Sequence, residues 1–245
     1  MKTGIQVSSF RPVLTTEDQV RTAFAKLRAM GCRTVQLQWI DPAVSIDAIA
    51  EALEENGIES VSVQDFYQTV LENRDYYYRL NAGTGGRWIC VSRIPEGLKS
   101  RRGLEDYARE LAAMAGELEP MGQRLCFHPV SADFIPIDGI DPVAYLLKVL
   151  PDLEICADLY HLNRRGFDVP GWLRRYAGRV CMVHFKEASG DRLVPLGQGD
   201  ADWSGVMDAC RETGVSYAFA EQETWEDDPF RCLGQSLEWL NREMV

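Results

Sequence analysis

The sequence has 245 residues, and 46% of them are hydrophobic, which is enough to fill the core of one large domain or two small ones. The formal net charge of -11 argues against nucleic acid as the main partner, because a phosphate backbone binds to a basic surface. The sequence shows no N-terminal signal segment and no run of about 18 apolar residues, so we expect neither export nor membrane insertion. Seven cysteines without CxxC or zinc-binding spacing indicate a reducing cytoplasm.

Apolar runs alternate with helical patterns along the whole chain. The runs predict eight strands, at 5–10, 34–39, 60–66, 88–92, 125–128, 153–159, 179–187 and 217–223. Helices are predicted from Thr15 to Gly31, from Ser45 to Gly57 and over 69–81, 103–118, 142–150, 170–176, 203–213 and 229–244. Strands that alternate with helices pair in parallel through helical crossovers, so these units predict one α/β domain over residues 1–245, a single (β/α)8 TIM barrel. A doubly wound open sheet is the alternative, but no GxGxxG motif follows an early strand.

The chain contains three histidines, and each lies at or just after the C-terminal end of a predicted strand. They are His128, His161 and His184. A single histidine at such a position is more often a buried structural residue, but three at equivalent positions indicate a site. In a (β/α)8 barrel the C-terminal strand ends meet at one mouth, and barrel enzymes carry out their chemistry there.

Four successive strands each bring one metal-binding side chain to this mouth in the predicted barrel. Strands five to eight end with His128, Asp158, His184 and Glu221. Imidazole and carboxylate groups suit Mn, Co, Mg, Fe or Zn, so these four residues are the predicted ligands of a divalent metal. Two other interpretations stay open, because Asp158 can cap a helix or turn and Glu221 can form an ion pair with Lys186 inside the barrel.

Three further polar residues complete the predicted site. Lys186 is either a cation that orients the substrate or an ion-pair partner. His161 lies three residues after Asp158 and is predicted to bind substrate or to move a proton just above the metal. Glu223 adds a second carboxylate at the end of strand eight. The predicted catalytic residues are therefore Glu221, His161, Lys186 and Glu223.

Five short motifs lie at or after strand ends in the second half of the chain. They are Asp158-Leu-Tyr-His161, Gly166-Phe-Asp-Val169, Val183-His-Phe-Lys-Glu187, Leu196-Gly-Gln-Gly-Asp-Ala-Asp-Trp203 and Phe219-Ala-Glu-Gln-Glu223. Together they resemble the xylose-isomerase-like TIM barrel superfamily, and within it the sugar phosphate isomerase/epimerase group, which includes ketose 3-epimerases and inosose dehydratase. The resemblance implies a divalent metal, with Mn favoured, held in the family's epimerases by Glu, Asp, His and Glu. The last three of these correspond to Asp158, His184 and Glu221.

The first family Glu falls on His128, which is a departure from the epimerase pattern. Those enzymes use their two glutamates as bases on opposite faces of the substrate carbon, so a chain with only Glu221 argues against ordinary two-base 3-epimerisation. One metal and one base still suffice to remove a proton beside a carbonyl. The resemblance therefore implies a metal-dependent isomerase or epimerase that acts on a sugar, keto-sugar or cyclitol through an enediolate-like intermediate. A dehydratase or lyase acting on a keto-sugar or inosose is the second interpretation.

Two functions of other classes remain open. A metal-dependent endonuclease for abasic DNA occurs in the same superfamily, but it uses several metals and many more histidines, and the acidic charge of this chain opposes DNA binding. A non-catalytic sugar-binding or partner subunit that kept the barrel is the other. No glycine-rich loop with a matching basic cluster supports a phosphate on the substrate. Barrels of this group often pair, so a homo-oligomer is expected.

Overall fold

The computed structural model describes residues 1–243, and its central feature is a closed barrel of parallel strands. Two short strands form a separate antiparallel hairpin. The barrel strands are β1 (Lys2–Gln6), β2 (Thr34–Leu37), β3 (Glu59–Phe66), β4 (Trp88–Ser92), β5 (Arg124–His128), β6 (Glu154–Asp158), β7 (Val180–Phe185) and β10 (Tyr217–Ala220), and the hairpin strands are β8 (Glu187–Ser189) and β9 (Arg192–Val194). The barrel closes in the order β1-β2-β3-β4-β5-β6-β7-β10, which confirms the predicted single (β/α)8 barrel and excludes an open sheet.

Helices follow the strands and cover the outside of the barrel. The α-helices are α1 (Glu17–Ala29), α2 (Ile46–Glu55), α3 (Tyr67–Glu72), α4 (Arg74–Gly83), α5 (Arg101–Leu118), α6 (Pro142–Val149), α7 (Leu159–Arg164), α8 (Val169–Arg175), α9 (Val206–Glu212) and α10 (Pro229–Glu243). Short 3-10 helices span Val7–Val13, Glu96–Leu98, Glu119–Met121 and Ser131–Phe134. The side chains of Thr16, Ser45 and Ser100 accept backbone N–H groups at the starts of α1, α2 and α5, so three of the longer helices begin at an N-cap.

The first strand was predicted too late in the chain. The prediction placed it at 5–10, whereas β1 ends at Gln6 and a 3-10 helix follows. Val7 and Phe10 are fully buried in that helix, so the apolar pattern continues although the strand has ended.

Three other differences concern connections between strands. The helix predicted over 69–81 is divided at Asn73 into α3 and α4, and the residues directly after β6 form the additional helix α7. The strand predicted over 179–187 ends at Phe185, and the hairpin after it was not predicted. The last helix agrees with prediction up to Glu243, while its predicted end at Met244 lies outside the described residues.

Two separate apolar clusters fill the molecule. The larger cluster lies between the strands and the helices. The smaller one lies inside the barrel, where the rings of Trp88 on β4 and Tyr217 on β10 contact each other across it with centroids 5.9 Å apart. Cysteines supply half of the smaller cluster's buried members, namely Cys90, Cys126, Cys156 and Cys181. All seven cysteines are buried and free, and these four lie in apolar runs of the sequence, where cysteine packs as a small core residue. None of the helices within residues 1–243 is both long enough and apolar enough to cross a membrane.

Candidate active site

The strand register brings the predicted site residues to one end of the barrel. Asp158, the last residue of β6, lies directly opposite His184 on β7, and His184 lies opposite Phe219 on β10. Alternate residues of a strand point to the same face, so Glu221, two positions after Phe219, faces the same way as His184. His128 ends β5 on the other side of Asp158. The side chains of four successive strands therefore converge at the C-terminal mouth.

The four predicted ligands form a buried cluster. His184 is fully buried, and the other three are at most 7% exposed. His184 Nδ1 lies 3.0 Å from Glu221 Oε2 and 3.2 Å from His128 Nε2. His128 Nε2 lies 3.9 Å from Asp158 Oδ2. One ligand atom from each of Asp158, His184 and Glu221 lies within 4.8 Å of the others, which is close enough for the three to share one ion.

Polar atoms without hydrogen-bond partners support a cation at this cluster. Asp158 Oδ2, Glu221 Oε2 and His128 Nδ1 are buried and have no hydrogen-bond partner among the described residues. The two oxygens of Asp158 have different roles. Oδ1 accepts the N–H groups of Tyr160 and His161 at the start of α7, while Oδ2 accepts no hydrogen bond from the described residues. Two buried carboxylate oxygens beside an imidazole make a donor set that suits a divalent metal.

Gln36 orients the ring of His184 from inside the barrel. Its Oε1 lies 2.6 Å from His184 Nε2, while its amide nitrogen donates to Ser62 Oγ. When Nε2–H donates to this acceptor, Nδ1 is the ring nitrogen that faces Glu221, and it can bind a metal once it has lost its proton. Such a partner fixes the tautomer in which an imidazole binds metal. Cys156 Sγ also lies 3.2 Å from Nε2.

Lys186 is the buried cation of the site. Its Nζ lies 2.9 Å from Glu223 Oε1, and 3.4 Å from both Asp158 Oδ2 and Glu221 Oε2. Burial lowers the pKa of Lys186, but the three carboxylates outweigh it, so the pKa is raised and the ammonium stays charged. Burial likewise raises the pKa of Glu221, yet Lys186 and His184 hold it below its ordinary value. Glu221 is thus an ionised carboxylate. The structure therefore brings the predicted ligands together. It also forms the ion pair between Glu221 and Lys186 that was the alternative interpretation of Glu221.

His161 lies on α7 at the edge of the cluster. Its Nδ1 is 2.8 Å from Ser131 Oγ, and its Nε2 is 3.7 Å from Asp158 Oδ2. Burial lowers the pKa of His161, and burial with the neighbouring His184 lowers the pKa of His128 to about 3, so both rings are neutral at pH 7. A neutral imidazole at the rim can accept or donate a proton.

Three residues of this arrangement were absent from the sequence-based prediction. Gln36 lies in β2, where the alternation Val35-Gln36-Leu37-Gln38 carries a signal that could have identified it, because a glutamine inside a buried strand requires a partner. Ser131 lies in the short 3-10 helix after β5, and Cys156 looks like any core cysteine. Neither has a sequence signal of its own.

Comparison with protein families agrees with this architecture. The family model described as "Xylose isomerase-like TIM barrel" matches residues 24–243. The chain belongs to this family. By sequence, no curated protein matches this xylose isomerase-like barrel.

Solved structures share the fold over nearly the full length of this xylose isomerase-like barrel. A sugar phosphate isomerase/epimerase from Parabacteroides distasonis has a TM-score of 0.82 at 14% identity, covering 100% of this chain and 94% of that one. D-allulose 3-epimerase from Methylomonas sp. in complex with D-allulose has a TM-score of 0.79 at 14% identity, covering 99% and 97%. A probable 3-DHS dehydratase from Bacillus anthracis has a TM-score of 0.76 at 15% identity, covering 98% and 99%. These likenesses show a common fold.

Proposed function

We propose that this protein is a divalent-metal-dependent enzyme of the sugar isomerase/epimerase type. Its substrate is a sugar, keto-sugar or cyclitol, from which it removes a proton beside a carbonyl to give an enediolate-like intermediate. The observation that carries the proposal is a pair of buried oxygens, Asp158 Oδ2 and Glu221 Oε2, next to Nδ1 of His184. Neither oxygen has a hydrogen-bond partner among the described residues. The D-allulose bound in the Methylomonas epimerase supports a small sugar as the substrate.

Asp158, His184 and Glu221 would hold the metal, with His128 as the fourth ligand. A bound divalent ion supplies positive charge that stabilises a developing oxyanion and lowers the barrier to proton removal. Mn is the favoured ion, and Co, Fe or Zn also suit two imidazoles and two carboxylates. Mg fits less well because it prefers oxygen ligands. The set of His128, Cys156 and His184 is also compact enough to bind an ion, but it lacks a carboxylate.

Glu223 and His161 are the proposed proton carriers. Glu223 is not among the ligands, and its side chain is 43% exposed, so substrate can reach it. Burial and the nearby Glu221 raise the pKa of Glu223, which brings this carboxylate closer to the basicity that a general base needs. The neutral ring of His161, with Nε2 3.7 Å from Asp158 Oδ2, can donate to a substrate oxygen. Lys186 would orient the substrate through its ammonium group.

A dehydratase is the second candidate function. Elimination of water from a keto-sugar or inosose begins with the same proton removal, and the fold is shared with a probable dehydratase. His128 stands where the family's epimerases carry the first of their two glutamates. One-base reactions such as isomerisation or elimination are therefore favoured over two-base epimerisation. The free and buried cysteines support a cytoplasmic location.

Elemental analysis of the purified protein tests the metal site. We expect about one divalent ion per chain in the wild type after reconstitution, and loss of that ion in His184→Ala and His128→Ala. His161→Ala is the matched control, since it removes the third imidazole without removing a proposed ligand. A metal-free wild type, or equal metal content in all variants, would contradict the site.

Deuterium exchange tests the chemistry. The metal-loaded enzyme is incubated in D2O with a panel of keto-sugars and cyclitols, and proton NMR follows the C–H signals beside each carbonyl. We expect exchange with at least one substrate, and its loss in Glu223→Gln with the metal retained. Stoichiometric metal without exchange on any substrate would favour the non-catalytic sugar-binding subunit.

A further inference from the structure

Lys186 lies where it can interact with the same oxygens that a metal would use. Its Nζ is 3.4 Å from Asp158 Oδ2 and 3.4 Å from Glu221 Oε2, and both of these buried oxygens lack a hydrogen-bond partner within residues 1–243. The side chain of Lys186 is 3% exposed, so water does not screen these interactions effectively. In the absence of metal, Lys186 is thus a buried positive charge that compensates both carboxylates, alongside His184, whose Nδ1 lies 3.0 Å from Glu221 Oε2.

A divalent cation bound to Asp158 and Glu221 would lie within a few ångströms of this ammonium. Two cations at such a distance in a buried site repel each other strongly. Glu223 provides an alternative anion for the lysine, because its Oε1 already forms the shortest contact with Nζ, at 2.9 Å. The three carboxylates together carry more negative charge than one ammonium can neutralise, which leaves the cluster able to accept a second cation.

We propose that Lys186 is an internal counter-cation that stabilises the metal-free site and competes with the divalent metal for Asp158 and Glu221. When the metal binds, the ammonium gives up these two carboxylates and keeps Glu223. The lysine thereby weakens metal affinity while it preserves the folded site without metal. This inference rests on the metal site of the proposed function.

The test compares metal affinity and thermal stability in the same variants. Mn²⁺ dissociation constants are measured by competition with a fluorescent chelator, and melting temperatures are measured with and without Mn²⁺. Lys186→Met removes the charge and keeps the length of the side chain. We expect it to bind Mn²⁺ at least about tenfold more tightly, because the repulsion is gone. Its metal-free melting temperature should fall by roughly 5–10 °C, because two buried carboxylates lose their counter-ion.

Two control variants show whether the changes come from the charge at position 186. Lys148→Met removes an exposed lysine on α6 and should change neither quantity. Lys186→Arg keeps the charge and should not gain affinity. If Lys186→Met does not fold without metal, Lys186→Gln serves in its place with the same expected signs, since its amide can still donate to a carboxylate.

A rise in Mn²⁺ affinity together with a fall in metal-free melting temperature distinguishes this proposal from a purely structural or substrate-binding role of Lys186. A fall in both stability and metal affinity would mean that Lys186 only supports the fold, and unchanged affinity would mean that it does not compete with metal. Either result overturns the inference and leaves the metal site standing. If neither the wild type nor Lys186→Met binds Mn²⁺ after reconstitution, the proposed metal site itself fails.

Discussion

Asp158 shows how one residue can serve the fold and the site together. Its Oδ1 caps α7 through two backbone N–H groups, and its Oδ2 faces His128, His161 and Lys186. The helix cap therefore holds the second oxygen in place. Replacement of Asp158 would affect both roles, so it cannot separate chemistry from folding. Replacement of a residue that contacts a proposed ligand without binding the metal can separate them.

Gln36 is such a residue, and its replacement tests the orientation of His184. Gln36→Met removes the acceptor of His184 Nε2–H, so the ring no longer has a fixed tautomer, and we expect metal affinity to fall about 10–100-fold. Competition with a fluorescent chelator measures the change. Gln68→Met, at an exposed position, is the control. An unchanged dissociation constant in Gln36→Met would show that the tautomer is set by other groups.

Asp133 is a buried acid outside the proposed ligand set, and it makes stability depend on pH. Burial raises its pKa from 3.8 to about 6, although Val130 and Ile94 donate N–H groups to it. The native state therefore binds this proton more tightly than the unfolded chain, so stability is lost as pH rises from about 4 to about 6. The loss amounts to about 2–3 kcal/mol.

Asp133→Asn removes that titration. Urea unfolding at several pH values should show the difference in unfolding free energy, variant minus wild type, increasing between pH 4 and pH 6 by about 2–3 kcal/mol. Asp152→Asn, which removes an exposed carboxyl, should give a constant difference. A constant difference for Asp133→Asn as well would show that its carboxyl titrates normally.

At the scale of elements, Glu187 at the start of the β8–β9 hairpin holds the loop that follows the hairpin. This carboxylate is 2% exposed and accepts the backbone N–H groups of Gly197 and Ala201 in the loop that follows the hairpin. The hairpin begins one residue after Lys186, so Glu187 connects the site to this loop. Leu196, which is buried and donates its N–H to Ser236 Oγ, is a second anchor of this loop.

Glu187→Ala leaves those two N–H groups without their acceptor. We expect the free energy of local opening to fall by about 1–3 kcal/mol in the segment from Glu187 to Ala201. Hydrogen exchange followed by mass spectrometry should show faster exchange there and unchanged exchange in β4 and β5. Asp191→Ala, at the exposed hairpin turn, is the matched control. Uniformly faster exchange across the barrel would contradict a local role.

The elements differ in how far the sequence determines them. β4 and α5 agree closely with prediction. The apolar run of β4 is short and follows the glycines at 83–86, which favours a strand, and the repeat of α5 is long enough to favour a helix. The 3-10 helix Val7–Val13 has the same apolar pattern as a buried strand, so its type depends on tertiary packing. The hairpin did have a signal, because Gly190-Asp191 between two short segments is a two-residue turn. It was missed because its strands are short and polar.

The contacts of the candidate site also differ in how far the sequence determines them. The convergence of four side chains was predictable because strand ends of a barrel meet at one mouth, while their role as metal ligands stays a prediction; the four are His128, Asp158, His184 and Glu221. The pairing of Lys186 with three carboxylates depends on side-chain directions that the sequence leaves open. The contact of Ser131 with His161 joins the 3-10 helix after β5 to α7, so it required the structure.

At the scale of the whole molecule, closure of the barrel depends on one close contact. β1 completes the ring by pairing with β10 on one side and β2 on the other. A Cβ atom at Gly4 would overlap the backbone carbonyl oxygen of Thr34 on β2, so only glycine lets the strands approach this closely. The hydroxyl of Thr34 also donates to the carbonyl of Thr3, at 2.7 Å, across the same pair.

Two glycine replacements should therefore have opposite effects on global stability. Gly4→Ala pushes β2 away from β1 and should lower the free energy of unfolding by about 1–3 kcal/mol. Gly116→Ala, inside α5 with open space around the new methyl group, should raise it by about 0.5–1 kcal/mol because alanine favours the helix. Urea denaturation of both variants measures the two changes. If Gly4→Ala were as stable as the wild type, β1 and β2 could separate without cost, and barrel closure would not depend on this contact.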